Sequence, residues 1–282
     1  MKHYLLLFTC IILLSCEQVV DFDYQPEQKI SLVCVLNPDS LVQLSLHYTR
    51  ALDENTAFVP VEDARVVFYE DGQEWGTATY EQNGTYRLDN YPTIGKTYRL
   101  IADIAEHLSL SAITIVPERP DVDTTIVSKT PYRFWNDHDP NTQFYFLEVE
   151  YRIDDQPGKN YYWNGFFHQI SCMSPYADNF NREIDTEAQF GFYYHFYVRQ
   201  TDDGVDGETM RFKKRLNTRM IDVFFNTDEH YDKYMKSSIQ SWLIEEWEDL
   251  PFKEPVQIYS NIENGTGIFG SASFTYLNFR NE

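Results

Sequence analysis

The sequence predicts a mainly β protein: an N-terminal immunoglobulin-like β-sandwich followed by an antiparallel, aromatic-rich β domain with one amphipathic helix. Three observations lead there. From Lys29 onward, apolar residues recur at every second position in short runs. Tight-turn dipeptides such as Asp71-Gly72 and Asn83-Gly84 separate those runs. One later stretch, about 228–248, instead repeats apolar residues at intervals of three and four.

The chain opens MKHYLLLFTCIILLSC, with Lys2, an apolar run from Tyr4 to Leu14, then Ser15 and Cys16. As a helix that run rises about 16 Å, well short of the roughly 30 Å of a bilayer's hydrocarbon core. It therefore reads as an export signal peptide over residues 1–15 rather than a span. Leu13-Leu14-Ser15-Cys16 resembles a bacterial lipobox, whose cysteine is acylated on its thiol once the leader is removed. Each buried methylene contributes about 0.8 kcal/mol, so two or three acyl chains anchor a protein firmly. The alternative is an ordinary secretory leader with a chance cysteine.

Residues 16–28 continue as a polar, acidic, proline-containing stretch suited to a tether between lipid and fold. The whole chain carries 44 acidic against 23 basic side chains, a net charge of −21. Such a surface repels phosphate backbones, so nucleic acid is excluded as a partner. Cys34 and Cys172 remain once the leader and Cys16 are set aside. In an exported chain they either bridge or sit buried as small hydrophobes.

The sandwich is assigned to residues 29–117. Its strands are KISLVCVL, LVQLSLHYT, ARVVFYE, QEWGTATYE, TYRL, GKTYRLIAD and LSLSAITIV, and Pro117 and Pro120 mark its end. Seven short strands in about ninety residues fit a sandwich. The second domain, 122–282, contains QFYFLEVEYRI, NYYWNGFFHQIS, QFGFYYHFYVRQ, ETMRFKKRL and TRMIDVFFN. Its many aromatics either stack a planar or sugar ligand on an open face or simply fill the sheet. The helix is expected to begin at an N-cap on Thr227. Asp228 and Glu229 lie in its first turn, and a stripe runs through Tyr231, Tyr234, Met235, Ile239, Trp242, Leu243 and Trp247.

YSNIENGTGIFG (Tyr259–Gly270) raises the possibility of a phosphate loop. Such a loop opens a helix and is usually followed by a lysine. Here a strand pattern follows instead, and the stretch reads as strand, turn, strand, with Asn and Gly taking the positive φ angles.

No HxH, HExxH or CxxC spacing links the histidines at 47, 107, 138, 168, 195 and 230, and no GxSxG elbow occurs. Calcium has two candidate sites: Asp137, Asp139 and Asn141, and the group Asp202, Asp203, Asp206 and Glu208 around Gly204 and Gly207. Neither completes a twelve-residue calcium loop, and turn chemistry accounts equally for both. No other cofactor is expected. Asp154 and Asp155 are candidate paired carboxylates or turn residues.

PVQIYSNIENGTGIFGS (Pro255–Ser271) resembles the C-terminal signature of a Bacteroidetes envelope lipoprotein family known as domain of unknown function 4249. Its signature positions here are Asn261, Ile262, Asn264, Gly265, Gly267, Phe269 and Gly270. PVEDARVVFYEDG, GKTYRL, DDQPGKNYYW and TDDGVDGE fit in order, so the resemblance spans nearly the whole chain after the leader. It implies a lipoprotein of the outer membrane working beside a TonB-dependent receptor in nutrient capture, and it brings no catalytic residues with it. The expected role is thus a non-catalytic binding accessory. The rivals are a surface hydrolase acting on polysaccharide or peptide, and a structural or adhesive envelope protein.

If acyl chains on Cys16 hold the chain to membranes, Cys16→Ser is expected to move it from the membrane to the soluble fraction. Fractionation with mass measurement of the N-terminal peptide checks this.

Overall fold

The computed structural model describes residues 28–50, 56–105, 107–132, 144–168, 189–192, 195–201, 209–218, 220–246 and 256–279. It is mainly β. The first seven strands are β1 (Ile30–Leu36), β2 (Val42–Tyr48), β3 (Arg65–Glu70), β4 (Gln73–Gln82), β5 (Thr85–Leu88), β6 (Thr97–Asp103) and β7 (Leu110–Ile115). All seven lie where the alternation places them. Both residues of each predicted turn have positive φ: 49° and 84° at Asp71-Gly72, 48° and 74° at Asn83-Gly84. That is what a two-residue hairpin turn matching the strand twist requires. β4 serves two neighbours, its first part pairing with β3 and residues 79–82 with β5. Leu32, Leu44, Leu46, Val66, Phe68, Tyr98, Leu100 and Leu110 share one buried cluster.

The sandwich is completed from the far end of the sequence. β15 (Thr266–Asn278) runs parallel to β1 over its first half, Ser31 pairing with Thr266 and Leu36 with Ser271. Its second half, from Ala272, pairs antiparallel with β14 (Met220–Thr227). Phe269 joins the sandwich core. On the other flank, the hydroxyls of Ser271, Ser273 and Thr275 donate to the carbonyls of Ile115 (2.6 Å), Pro117 (2.6 Å) and Pro120 (2.9 Å). The segment leaving β7 is thereby drawn alongside β15, and hydroxyls substitute for a backbone ladder there.

The described residues of the second half form two layers of sheet and one helix. β8 (Asp121–Tyr132), β9 (Phe144–Asp154) and β13 (Thr209–Asn217) make a three-stranded sheet in the order β13-β9-β8. β10 (Tyr161–His168), β11 (Gln189–Phe192), β12 (His195–Thr201) and β14 extend the large sheet beyond β15. One face of β10 and β14, through Tyr162 and Phe224, packs on Leu147, Val149, Tyr151 and Ile153 of β9. The opposite face, through Trp163, Val223 and Phe225, packs on Met235 and Ile239 of helix α1 (Glu229–Glu246).

Three local expectations change. QFGFYYHFYVRQ is two paired strands, β11 and β12, with Phe192 opposite His195; no glycine, proline or asparagine stands between them to signal the reversal. PVQIYS is not a strand over its described residues, so the glycine stretch is an irregular segment and turn leading into β15. The helix is capped by Asp228 rather than Thr227: the Tyr231 N–H donates to Asp228 Oδ1 at 2.9 Å, while Thr227 still pairs with Ala272 in the sheet. An N-cap side chain reaches the third helical N–H, and Asp228 alone has that register.

Gly267 has φ of +112°, and a Cβ there would lie 2.0 Å from the Leu32 carbonyl oxygen. Gly267→Ala is therefore expected to destabilise the protein by about 2–4 kcal/mol, from strain plus lost β1–β15 pairing. Urea unfolding against wild type checks it, and an unchanged midpoint refutes it.

Candidate functional site

Among the described residues, polar groups converge at a surface cleft and at a buried cluster between the sheets. The first is an open cleft of about 430 Å³ lined by Gln28, Lys29, Ile30, His107, Leu108, Asn264 and Gly265. It lies at the start of β1 and at the β6–β7 turn, beside the point where the acidic stretch enters the fold. The Tyr48 ring packs on His107 at 5.7 Å, and Asn264 donates to the Ser109 carbonyl at 2.9 Å, so the wall is braced. Leu108 is 72% exposed at the rim, and Phe58 and Val59 stand exposed near His47 at the same end. Because β1 and β15 run parallel, this end is opposite the one from which β15 enters the second unit.

The second is a buried polar cluster between the three-stranded sheet and the large sheet. Lys214 on β13 donates to Asp222 Oδ1 at 2.6 Å and to Asn164 Oδ1 at 2.7 Å. Asn164 Nδ2 donates to the same Asp222 Oδ1 at 3.0 Å and to the Val223 carbonyl at 3.1 Å. The lysine and aspartate side chains are 3% and 1% exposed. Asp222 Oδ2 has no partner at hydrogen-bond geometry. The Tyr151 hydroxyl is near the Asp222 carboxylate; burial, and then the Asp222 charge, push that hydroxyl well above the ordinary tyrosine range, so it stays protonated. Each member occupies a position whose strand parity faces the core, as Leu216 does on β13 and Phe224 on β14.

Most signature residues serve the fold. Asn261 clamps Phe269 with two bonds, Nδ2 to its carbonyl at 2.8 Å and Oδ1 from its N–H at 3.0 Å. Ile262 and Phe269 are buried. Asn264 takes φ of 59°, and a Cβ on Gly265 would meet the Ile30 carbonyl at 2.8 Å. Gly270 leaves room for Tyr231, whose Cβ would stand 2.7 Å from an added one. Only Asn264 and Gly265 also face the cleft.

Asp154 and Asp155 do not form an acid–base pair. Asp154 is held by Arg152 at 2.5 Å, whose guanidinium keeps its carboxyl below the usual range. Asp155 accepts from Asn160 (3.2 Å) and the Tyr162 hydroxyl (3.1 Å), which shapes the loop before β10. Cys34 is a buried thiol, its pKa pushed up by burial. Cys16, Cys172 and both calcium candidates, Asp137, Asp139 and Asn141 and Asp202, Asp206 and Glu208, lie outside the described residues. Among the described residues no three His, Cys, Asp or Glu side chains gather as metal ligands would.

The family now has its structural setting. Residues 17–277 match the family described as Domain of unknown function (DUF4249), and the chain belongs to that family. No curated protein matches the chain.

Asp228 joins three elements. It accepts from Tyr231 N–H, from Ser271 N–H at 3.1 Å and from the Thr114 hydroxyl at 2.8 Å. Burial nevertheless pushes its carboxyl above the ordinary range. With the folded pKa above the unfolded one, its contribution is complete below the unfolded value of about 3.9 and is lost as pH rises through the folded value. Asp228→Asn, which keeps an acceptor for the cap, is therefore expected to match or exceed wild-type stability at about pH 7 and to lose that advantage near pH 3.5. Asp228→Ala should cost about 1–2 kcal/mol at both. Urea unfolding of the three proteins at the two pH values decides it.

Proposed function

We propose that this chain is a lipid-anchored outer-membrane protein that works as a non-catalytic binding accessory of a TonB-dependent nutrient importer. The observation that carries the reading is the placement of the cleft beside residue 28. An anchor through Cys16 leaves twelve further residues before the fold, a reach of at most about 40 Å. The cleft then faces the membrane-proximal neighbourhood in which a receptor barrel stands. Its lining suits a protein segment more than a reacting substrate: one exposed leucine, a histidine, a lysine, and the amides of Gln28 and Asn264. The aromatic-rich unit, carried by β15 to the opposite end, is displayed away from that contact.

Leu108 touches the cleft only at its rim, so Leu108→Glu should leave stability within about 0.5 kcal/mol of wild type. After mild crosslinking and extraction from native membranes, the wild-type chain is expected to bring down a receptor barrel. Leu108→Glu should reduce that recovery at least about tenfold, the effect of losing about 1.4 kcal/mol of contact. A wild-type chain recovered alone refutes the reading.

A further inference from the structure

We propose that Lys214 and Asn164 become joined by an intramolecular isopeptide bond, with Asp222 carrying the protons. The inference is independent of the importer reading, since it rests on the buried cluster alone.

The arrangement is more specific than an ion pair needs. A lysine and an aspartate would satisfy each other without an asparagine, yet here the carboxamide is held by both. Its oxygen is 2.7 Å from Lys214 Nζ. With a C=O bond of about 1.23 Å, Nζ must therefore lie within about 4 Å of the carboxamide carbon. Its nitrogen is pinned by the Val223 carbonyl and by Asp222 Oδ1. That one carboxylate oxygen touches the prospective nucleophile at 2.6 Å and the prospective leaving nitrogen at 3.0 Å. A group so placed can act as base and then as acid without moving.

The steps balance. Lys214 ammonium gives one proton to Asp222 along their hydrogen bond, leaving a neutral amine beside a neutral carboxylic acid. The amine lone pair forms a bond to the Asn164 carboxamide carbon, and the carbonyl electrons move onto Oδ1. Asp222 then delivers its proton to Nδ2 and takes one from Nζ. The oxyanion collapses, the carbon–Nδ2 bond breaks and ammonia departs. The products are a secondary amide, ammonia and a protonated Asp222, so no oxidant or co-reactant is required.

The surroundings favour that outcome. The cluster sits among Tyr151, Tyr162 and Phe224, all fully buried, with the Tyr151 and Phe224 rings 5.1 Å apart. Keeping two charges out of water is costly. The reaction replaces the ion pair by neutral groups, and a neutral Asp222 no longer sets a buried charge beside the Tyr151 hydroxyl. Holding the amine within about 4 Å of the carboxamide carbon removes much of the entropic cost of bringing the two groups together. The bond would tie β13 of the three-stranded sheet to β10 of the large sheet.

Tryptic mapping of the purified full chain tests this without any variant. The expected product is one branched species containing both the Asn164 and Lys214 segments, about 17 Da lighter than their sum through loss of ammonia. Lys214→Arg and Asn164→Ala should yield only linear peptides and a lower melting temperature. Asp222→Ala, shown to be folded by far-ultraviolet circular dichroism, should also lose the branched species. Wild-type protein that gives the two segments as separate, unmodified peptides overturns the proposal. A branched species at full yield in Asp222→Ala overturns the part assigned to Asp222.

Discussion

The molecule depends on one close backbone crossing. The start of β15 lies against β1 so tightly that at Gly267 there is no room for a side chain beside the Leu32 carbonyl. Everything joined to β15 inherits its position from that contact. Six residues pair with β1, the next seven pair with β14, and the same strand forms the bed for α1 at Gly270. Asp228 reinforces the junction, since the carboxyl oxygen that caps the helix also takes the Ser271 N–H. Sandwich, large sheet and helix are thus fixed within a few residues of one another. Gly265 and Gly267 are steric requirements of this crossing and Gly270 of the helix contact beside it, so the glycine-rich stretch is accounted for without a phosphate.

The second organising feature is energetic. A buried lysine–aspartate pair is seldom the most stable choice for a core, because the desolvation of two ions rivals their attraction. The second unit nonetheless places one between its two sheets, and Asn164 and Tyr151 surround it. As a permanent ion pair it would be a cost offset only by hydrogen bonding. As the precursor of a neutral amide it is a transient cost that ends in a covalent tie. Another buried polar contact, Trp163 Nε1 to Asp232 Oδ1 at 3.0 Å, locks α1 onto the sheet, and there the cation, Lys236, stands at the surface 4.0 Å from the other carboxylate oxygen.

Much of this was legible in the sequence, and the failures have physical reasons. Period-two runs and two glycine turns located the first seven strands because each has one wet and one dry face. β8 was missed because it is mostly exposed; Asp121, Asp123, Thr124, Thr125 and Lys129 give it no apolar alternation, and Pro131 fits only an edge. The partnership of β15 with β1 was invisible since pairing between the two ends of a chain leaves no local trace. The polar cluster did leave one. In TMRFKKRLN the residues 211, 213 and 215 are cationic and outward, so Lys214 falls on the inward parity with Leu216; Asp222 likewise shares parity with Phe224, and Asn164 with Tyr162. A charged residue on the dry parity of a strand is the signal that should have singled them out. The cleft had no comparable marker, as its lining is gathered from three distant segments.

The topology also orders assembly. Ser31 at the start of the fold waits for Thr266 near its end, so β1 has one unpaired edge until almost the whole chain is available. Long-range pairing of this kind is slow and leaves an edge open to other chains. The second unit cannot be complete earlier, because β14 needs the second half of β15 as its neighbour. Lys214, Asn164 and Asp222 come from three strands that meet only in that completed unit, one in the small sheet and two in the large one. A bond among them therefore forms after the crossing strand has docked. Once made, it removes from the unfolded ensemble the states in which the sheets separate, as any long-loop crosslink does. The part of the fold with the slowest route to completion is then the part that is hardest to reverse.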